Sequence, residues 1–440
     1  MTDAKLAAVV MAAGQGTRMR SRLPKHLHPL LGRRVVDWVI EAARPLAPDP
    51  LVVVTSPDHQ DAYDGLRVAV QKRPLGTGDA VRAAQGELDG AERVLVLSGD
   101  HPLLTPELLG SLLETHRAEE AAATVLTFRP ADVRSYGRIV RDGDGALERI
   151  VEAVDASPEE LELTEVNSSI YVFAGELLWP ALDRLEPANV QGELYLTDVV
   201  RDLVRQGRKV AVHLAEDSGE VEPGVNTRVE LAAAAAALRD RINGAHMLAG
   251  ATIVDPPTTW IDPSVTIEPD ATIEPFTLLR GTTTVGAGAV VGPHVVAVDS
   301  AIGAGALVGP FCYLRPGTIL DARSKAGTFV EIKNSRIGER TKVPHLSYLG
   351  DAEVGEDTNI AAGNITVNYP HEPGQGKGRT TIGRNVRTGV DNAFVAPVTI
   401  GDDAWIAAGS VITEDVPPGA LAIARARQVN KEGHGGKQHD

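Results

Sequence analysis

The chain has 440 residues, of which 43% are hydrophobic and 23% charged, a composition typical of a globular protein with two or three domains. Its net charge of −16 comes from 43 Lys and Arg against 59 Asp and Glu, which argues against nucleic-acid binding by the surface as a whole. The single cysteine, Cys312, excludes an intramolecular disulfide and a thiolate zinc cage, and we expect it to be a small buried apolar residue.

Short apolar runs alternate with amphipathic segments in the first half of the chain. The predicted strands are Leu6–Val10, Leu51–Thr55, Val94–Leu97 and Ala123–Phe128, and the predicted helices between them are Val35–Ala43 and Pro106–Glu119. This alternation predicts a Rossmann-like α/β domain with a largely parallel sheet, whose ligands lie beyond the carboxyl ends of the strands. The first run follows Asp3 and ends in a Gly-rich turn, which favours a buried strand over a signal peptide. With no run of 18 apolar residues we expect no membrane span and a cytoplasmic protein.

The second half has a different period. Aliphatic residues recur at every sixth position with shifts of phase: Ile261, Ile267, Ile273, Leu279, Val285, Val291; Ile302, Val308, Leu314, Leu320; Ile337, Val343, Leu349; Val354, Ile360; Ile400, Ile406, Ile412. A period of six predicts a parallel β-helix of hexapeptide repeats, in which each coil buries its apolar face against its neighbours. The Ala-rich segment 229–249 predicts a linker helix. The expected organisation is a first domain over 1–228, the linker over 229–249, the β-helix over 250–424 and a tail over 425–440.

A Gly-containing loop follows the first predicted strand. It includes Ala13, Gly14, Gly16 and Arg18, and Pro24-Lys25 follows. Backbone amides of such a loop can close on a triphosphate, and Arg18 and Lys25 supply positive charge. A dinucleotide fingerprint would need a Gly where Met19 stands, and a P-loop would need Gly-Lys-Ser/Thr, so neither of these motifs is indicated.

Further motifs follow in chain order: Gln71; Gly76-Thr77; Ser98-Gly99-Asp100; Tyr136-Gly137-Arg138-Ile139; Ile150-Val151-Glu152; Asn167-Ser168; Glu193 to Asp198; Gly224-Val225-Asn226. The loop and this series resemble the sugar-1-phosphate nucleotidyltransferases. Joined to a hexapeptide β-helix, the order resembles the family of bacterial bifunctional N-acetylglucosamine-1-phosphate uridyltransferases/glucosamine-1-phosphate acetyltransferases, from about Leu6 to Gly433. The resemblance implies a nucleotidyltransferase over 1–228, an acetyltransferase with a left-handed β-helix over 250–424, UTP and acetyl-CoA as co-substrates, and UDP-N-acetylglucosamine for cell-wall precursors.

The resemblance implies a first site for uridylyl transfer. Asp100 and Asn226 would hold Mg²⁺, while Lys25 and Arg18 would stabilise the triphosphate. The nucleotide and sugar would contact Ala13, Gly14, Lys25, Gln71, Gly76, Thr77, Gly137, Glu152, Asn167, Thr197 and Asn226. Two simpler interpretations stay open, since Asp100 could be a helix N-cap and Asn226 a turn residue. The chain also departs from the family, which usually has His in place of Asp79 and Gly in place of Ser169. These departures bear on which sugar is bound and not on the type of reaction.

The resemblance implies a second site on the β-helix. His345, in Pro344-His345-Leu346-Ser347-Tyr348, would be the base, because a protonated amine cannot attack a thioester and a His near neutral pKa suits its deprotonation. Glucosamine-1-phosphate would contact Arg315, Lys333, Tyr348 and Asn359; acetyl-CoA would contact Ala362, Asn368, Tyr369, Ala408, Arg425 and Lys431. The family builds this site from neighbouring chains of a homotrimer. Pro344 in place of Gly, Val390 in place of Ser and a longer segment 370–379 put the cofactor geometry in doubt.

Two other functions remain compatible with this domain order. A single-activity sugar-1-phosphate nucleotidyltransferase could carry the β-helix only as an oligomerisation or regulatory scaffold. An exchange-factor-like regulatory subunit could share the two domains without catalysis. The complete phosphate loop with Asp100 disfavours the second, and His345 with Arg315, Lys333 and Tyr348 disfavours the first.

Overall fold

The computed structural model describes residues 5–88, 90–133, 136–369, 374 and 376–434. Contacts divide the chain into two compact units, Met1–Leu238 and Arg239–Asp440. Parts of the segment 370–379 and of the tail 425–440 lie outside the described residues. No helix in the described ranges is long and apolar enough to span a membrane.

The first unit is built on a nine-stranded sheet. The strands are β1 Leu6–Met11, β2 Pro29–Leu30, β3 Arg33–Arg34, β4 Leu51–Thr55, β5 Arg67–Val70, β6 Arg93–Ser98, β7 Ala123–Phe128, β8 Arg138–Arg141, β9 Leu147–Val151, β10 Val166–Ala174 and β11 Val210–Leu214, of which β2 and β3 form a separate ribbon. The helices are α1 Val35–Ala43, α2 Thr77–Ala83, α3 Pro106–Ala118, α4 Pro158–Leu161, α5 Gly175–Asp183, α6 Leu196–Arg205 and α7 Arg228–Leu248. Short 3-10 turns cover Thr17–Met19, Lys25–Leu27, Arg44–Leu46, Pro57–Tyr63, Gln85–Glu87 and Ser218–Glu220, with one more in the second unit at Pro256–Thr258.

The strand order across the sheet is β11-β7-β10-β6-β1-β4-β5. Strands β6, β1, β4 and β5 run parallel, as the sequence predicts. β10 runs antiparallel between β6 and β7, and the hairpin β8–β9 attaches to it through Arg138. The sheet is therefore mixed, and its parallel strands β1 and β6 end side by side at Met11 and Ser98. The loops that follow these two ends carry the first candidate site.

Two apolar layers cover the sheet. Alternate residues of the central strand β1 enter different clusters, with Val9 on one side and Val10 on the other. All four of its middle residues are buried, which is the pattern of a strand covered on both faces. The strands predicted from apolar runs are thus confirmed at the centre of the sheet, and the first run is a buried strand.

The second unit is a left-handed parallel β-helix with three faces. Face 1 contains Thr252–Ile253, Thr272–Ile273, Val290–Val291, Leu307–Val308, Lys325–Thr328 and Lys342–His345, then Arg387–Thr388, Trp405–Ile406 and Leu421–Ala422. Face 2 contains Trp260–Ile261, Leu278–Arg280, Val296–Val298, Tyr313–Leu314, Glu331–Lys333, Tyr348–Gly350, Ile365–Val367, Ala393–Val395 and Val411–Ile412. Face 3 contains Thr266–Ile267, Thr284–Val285, Ala301–Ile302, Ile319–Leu320, Arg336–Ile337, Ala352–Val354, Thr380–Ile382 and Val398–Ile400.

The six-residue period corresponds to the interior of the prism. Every aliphatic residue of the predicted series is buried in one continuous cluster, together with Cys312. Burial raises the pKa of the Cys312 thiol to about 11, so it stays a neutral apolar group, as expected. Several corners adopt left-handed φ without glycine, among them Phe311, Leu346 and Asp351. Backbone hydrogen bonds between successive coils hold these corners, for example from Leu346 N–H to the Thr328 carbonyl at 3.0 Å.

Candidate functional site

Two neighbouring cavities open beyond the ends of β1 and β6, with volumes of about 430 and 350 Å³. They share a wall that contains Ala13, Gly14, His26, Gln71 and Pro74. The smaller cavity also reaches Lys25, Gly76, Thr77, Asp100 and Ser169. The structure therefore brings together most of the residues that the sequence assigns to the nucleotide. Arg18 is exposed in its 3-10 turn and lines neither of these two cavities.

Lys25 joins Asp100 to Asn226 at the end of β6. Its ammonium forms an ion pair with the Asp100 carboxylate and donates to Asn226 Oδ1 at 2.8 Å. Ser98 Oγ donates to the other Asp100 oxygen at 2.6 Å. Burial alone would raise the pKa of Asp100, but Lys25, the neighbouring His101 and the Ser98 hydroxyl together hold it well below its usual range. Asp100 is thus a buried carboxylate that is charged at neutral pH.

The structure excludes the alternative in which Asp100 is a helix N-cap. The helix after β6 begins at Pro106, and Thr105 caps it by accepting a hydrogen bond from Leu108 N–H. Asp100 is therefore not an N-cap. Asn226 does lie in a turn, where its N–H donates to Glu230 Oε2 at 2.9 Å, but its side chain faces Lys25.

The residues present fit a Mg²⁺ site of few protein ligands. Oxygens of Asp100 and Asn226 converge on one cationic atom, Lys25 Nζ, and carboxylate and amide oxygens are ligands that Mg²⁺ accepts alongside substrate phosphates. No group of three or more His, Cys, Asp or Glu side chains within the described ranges could hold a metal. A metal here would need oxygens from a substrate to complete its coordination.

His26 is an uncharged side chain that lines the same site. Burial, followed by the charge of Lys25, lowers the pKa of His26 to about 3. Its ring stacks on Tyr63 with centroids 6.4 Å apart. Sequence reasoning did not select His26, because a His next to a Lys in a loop gives no signal of its burial.

The loop before α2 is fixed against the start of α6. Gly78 N–H donates to the Leu194 carbonyl at 2.8 Å, and Leu194 N–H donates to the Leu75 carbonyl at 2.7 Å. Thr77 Oγ1 accepts from Leu196 N–H at 2.9 Å. Gly76 has φ +110°, and a Cβ there would meet the Leu194 carbonyl at 2.6 Å, so only glycine fits. The predicted base-reading residues therefore sit on a rigid loop.

The predicted sugar residues Gly137, Glu152, Asn167 and Thr197 form two hydrogen-bonded pairs and line neither of the two cavities. Thr197 Oγ1 donates to Glu152 Oε1 at 3.3 Å, and Asn167 Nδ2 donates to the Tyr171 hydroxyl at 2.7 Å. Asn167 N–H donates to the Gly137 carbonyl at 2.9 Å. Burial raises the pKa of Glu152, and nearby carboxylates add to this effect. Such a set of buried acceptors and donors is suited to sugar hydroxyls.

Ser169, where the family usually has Gly, has φ +62°. This left-handed conformation explains the usual glycine, because an L residue is strained there. Ser169 N–H donates to Asn167 Oδ1 at 3.1 Å. Ser169 lines the smaller cavity, so its side chain adds bulk beside the predicted sugar residues, as the sequence suggests.

On the β-helix, a cationic cluster surrounds the corner at Asp351. Asp351 accepts from Asn334 Nδ2 at 2.6 Å and from Asn368 Nδ2. Burial would raise its pKa, but these amides and the ammoniums of Lys377 and Lys333 outweigh burial and lower it. The proximity of Lys377 in turn lowers the pKa of Lys333. Two ammonium groups held this close form a ready site for a phosphate.

The same cluster takes in Tyr348 and lies next to Arg315. Gly350 makes room for the Tyr348 ring, since a Cβ there would meet the Tyr348 hydroxyl at 2.3 Å and Asn368 Nδ2 at 2.8 Å. Arg315, on face 2 like Tyr348 and Lys333, pairs with Glu331 at 2.8 Å. Sequence reasoning missed Lys377, which lies 5.1 Å from the centre of the exposed Tyr369 ring, because the segment around it has no period that predicts its position.

His345 lies at a different corner. It is the last residue of the strand Lys342–His345 on face 1, and it is exposed. Backbone hydrogen bonds repeat at this corner from one coil to the next. Gly363 N–H donates to the His345 carbonyl, Asp391 N–H to the Ala362 carbonyl and Gly409 N–H to the Val390 carbonyl. His345, Ala362, Val390 and Ala408 therefore form one column, and Arg425 packs near Gly409 at its end. Four predicted acetyl-transfer residues lie along this column: His345, Ala362, Ala408 and Arg425.

Other predicted residues of the second site are more scattered. Asn359 lies on face 1, bridged between Lys342 and Arg387, and not in the Asp351 cluster on the same chain. Lys431 is exposed beyond the last coil.

Comparison with known proteins extends over both halves of the chain. Residues 8–249 match the family of MobA-like NTP transferase domains. The chain is 50% identical over 453 residues to the bifunctional protein GlmU of Streptomyces avermitilis, covering 97% of this chain and 93% of that protein. The GlmU proteins of Streptomyces coelicolor and Mycobacterium bovis are each 50% identical over 455 residues, covering 97% of this chain and 93% and 91% of their own lengths.

Proposed function

The chain belongs to the bifunctional GlmU family, and from this premise and its two side-chain clusters we propose how it carries out each transfer. It is a bifunctional transferase of UDP-N-acetylglucosamine synthesis. One activity acetylates glucosamine-1-phosphate, and the other transfers uridylyl to N-acetylglucosamine-1-phosphate. We assign uridylyl transfer to residues 1–228 and acetyl transfer to 250–424, with 229–249 as linker and 425–440 as tail. The observation that carries the first assignment is the Lys25–Asp100–Asn226 cluster at the mouth of the nucleotide cavity.

In uridylyl transfer, a phosphate oxygen of the sugar-1-phosphate attacks the α-phosphorus of UTP, and the bond to pyrophosphate breaks. Such reactions depend mainly on positioning and on neutralising charge. Lys25 would balance the charge that develops on the phosphates, and Arg18 would reach the triphosphate from the exposed turn. Asp100 and Asn226 would hold Mg²⁺, which when bound supplies further positive charge. Gln71, Gly76 and Thr77 would face the base, and Glu152, Asn167 and Thr197 the sugar.

In acetyl transfer, the sugar amine attacks the thioester carbon of acetyl-CoA and the bond to sulfur breaks. His345 would accept the proton that the amine loses, and the leaving thiolate takes up a proton. Lys333, Lys377 and Arg315 would hold the phosphate of the acceptor. Acetyl-CoA would lie along the corner column of Ala362, Ala408 and Arg425.

The placement of these groups supports a homotrimer. His345 and Asp351 lie at the two corners that bound face 2, and the six steps along the chain between them span up to about 20 Å at roughly 3.3 Å per extended residue. A base at one corner does not reach an amine whose phosphate is held at the other on the same chain. We propose that a second copy brings its His345 corner to the Asp351 corner, so that acetyl transfer needs an assembled enzyme.

A ladder of exposed apolar rings offers the surface for this assembly. Phe276, His294, Phe311 and Phe329 stack with centroids 4.7, 4.8 and 5.3 Å apart along the corner that continues to Leu346. The three Phe side chains are 49%, 46% and 56% exposed. Exposed apolar patches of this kind mark protein interfaces, and most homo-oligomers use closed symmetry. Since UTP and acetyl-CoA are cytoplasmic metabolites, we propose that the enzyme works in the cytoplasm.

The test is a coupled assay with mass detection. The purified protein receives glucosamine-1-phosphate, acetyl-CoA, UTP and Mg²⁺, with each omitted in turn. UDP-N-acetylglucosamine that requires acetyl-CoA supports both activities and their order. Product that forms only from ready-made N-acetylglucosamine-1-phosphate would leave the β-helix as a scaffold, and absence of any product with UTP would favour the regulatory-subunit alternative.

A further inference from the structure

Gln71 is held in one orientation by two acceptors. The residue is only 7% exposed, and its backbone N–H donates to the Thr55 carbonyl at 2.9 Å. Its side-chain Nε2 donates to the Gly76 carbonyl at 3.0 Å and to Asp79 Oδ2 at 3.1 Å. Because a carbonyl and a carboxylate can only accept, the amide nitrogen must face both of them. The two orientations of the amide are therefore not equivalent at this site.

Asp79 is itself fixed by Arg82. The other carboxylate oxygen, Oδ1, accepts from Arg82 Nη2 at 2.8 Å, one turn along α2. The Asp79 side chain is 15% exposed, so this carboxylate is packed between the Arg82 guanidinium and the Gln71 amide. Asp79 is also a position where the family usually has His, and nothing in the reaction described above uses it.

With both Nε2 hydrogens engaged, Gln71 has only Oε1 left for a ligand. Gln71 lines both cavities of the first site, and within the described residues no protein group donates to Oε1. A lone acceptor favours a partner with an N–H. Uracil carries such a donor at ring position 3, whereas cytosine has a lone pair at the same position. An amide that could turn over would accept either base.

We propose that Asp79, backed by Arg82, is a specificity-determining positioning residue, which locks the Gln71 amide so that it accepts from uracil and rejects cytosine. This inference rests on the proposed uridylyl transfer and on Gln71 facing the base. It adds that selection of the base depends on a carboxylate that does not touch the nucleotide.

The test compares kcat/KM for UTP and CTP in the whole enzyme and in Asp79→Asn. Asn presents an NH₂ to Gln71 when its oxygen faces Arg82, so only the Gly76 carbonyl still favours the original orientation of the Gln71 amide. We expect the UTP-to-CTP ratio of kcat/KM to fall by roughly tenfold or more, the size of one misplaced hydrogen bond. The KM for N-acetylglucosamine-1-phosphate should not change. The acetyl-transfer rate of the same preparation, which depends on the other unit, reports the amount of intact enzyme, and the unchanged KM for N-acetylglucosamine-1-phosphate reports that the first unit is folded.

Two further variants sharpen the result. Glu87→Gln removes an exposed carboxylate near α2 and should leave the ratio unchanged. Arg82→Gln keeps Asp79 but loosens it, and should lower the ratio less than Asp79→Asn.

The outcomes are distinguishable. If the wild-type enzyme uses UTP and Asp79→Asn has the same UTP-to-CTP ratio of kcat/KM, the positioning role is overturned and the proposed uridylyl transfer stands. A wild-type enzyme without activity on UTP overturns the proposed function itself. If Asp79→Asn loses acetyl transfer as well, the UTP-to-CTP ratio of Arg82→Gln tests the positioning role instead. A ratio equal to that of the wild type would overturn it.

Discussion

Replacing His345 with Ala should separate the two activities. His345 is exposed, and its side chain makes no hydrogen bond or ion pair within the described residues. Surface substitutions of this kind change the free energy of unfolding by about 0.5 kcal/mol or less. Positioned acid–base groups contribute roughly 10²- to 10⁴-fold in rate, which corresponds to about 3–5 kcal/mol in activation free energy. The expected loss of acetyl transfer is therefore far larger than any effect through stability.

The assay follows both transfers in one preparation. CoA release with glucosamine-1-phosphate should fall by at least 10²-fold in His345→Ala, while pyrophosphate release from UTP and N-acetylglucosamine-1-phosphate should stay at the wild-type rate. Unfolding by urea should show the wild-type midpoint. Acetyl transfer within about tenfold of wild type, in a protein of unchanged oligomeric state, would refute the role of His345 as base.

Four further outcomes are expected. Asp100→Ala should abolish pyrophosphate release and spare CoA release, the reverse of His345→Ala, and equal loss of both would contradict separate sites. Because the pKa of Asp100 is lowered in the folded protein, its contribution to stability is present above its unfolded pKa of about 3.9 and is lost as the pH falls through the folded value; acid unfolding should be less steep in Asp100→Asn. Ser169→Gly relieves the left-handed φ and should raise the free energy of unfolding by up to about 1 kcal/mol, measured in urea; a lower stability would mean that the serine side chain has a structural role. Phe311→Asp should convert a trimer to monomers in light scattering, and an unchanged mass would remove the aromatic ladder from the interface.

Much of the fold follows from local pattern. Val35–Ala43, Leu51–Thr55 and Ala123–Phe128 have the bounds that the sequence predicts, because each buries a continuous apolar face. The six-residue period gives the β-helix and its interior without ambiguity. The antiparallel strand β10 was not predictable in this way: the polar residues Asn167 and Ser168 follow its first residue, Val166, and its direction depends on pairing with β6 and β7.

The first site was predictable only as an ordered series of motifs. Lys25, Asp100 and Asn226 are far apart in sequence, and only the ends of parallel strands and the loop before α7 bring them together. The contact between Gln71 and Asp79 could not be predicted from spacing, since it depends on the path of the loop around Gly76. No signal in the sequence points to His26 or Lys377. The burial of His26 and the pairing of Lys377 depend on residues that are close in space but distant in the sequence.

The geometry of the β-helix is the reason for proposing that acetyl transfer depends on assembly. In this fold a corner repeats as a column from coil to coil, so side chains on one chain can line up along a column but cannot cross a face. The His345 column and the Asp351 cluster are separated by one such face. If a second copy joins them, a substitution in the aromatic ladder that never touches substrate must remove acetyl transfer together with the trimer, while uridylyl transfer, whose residues all lie in the first unit, persists. Phe311→Asp should thus behave like His345→Ala in both activity assays and differ from it only in mass.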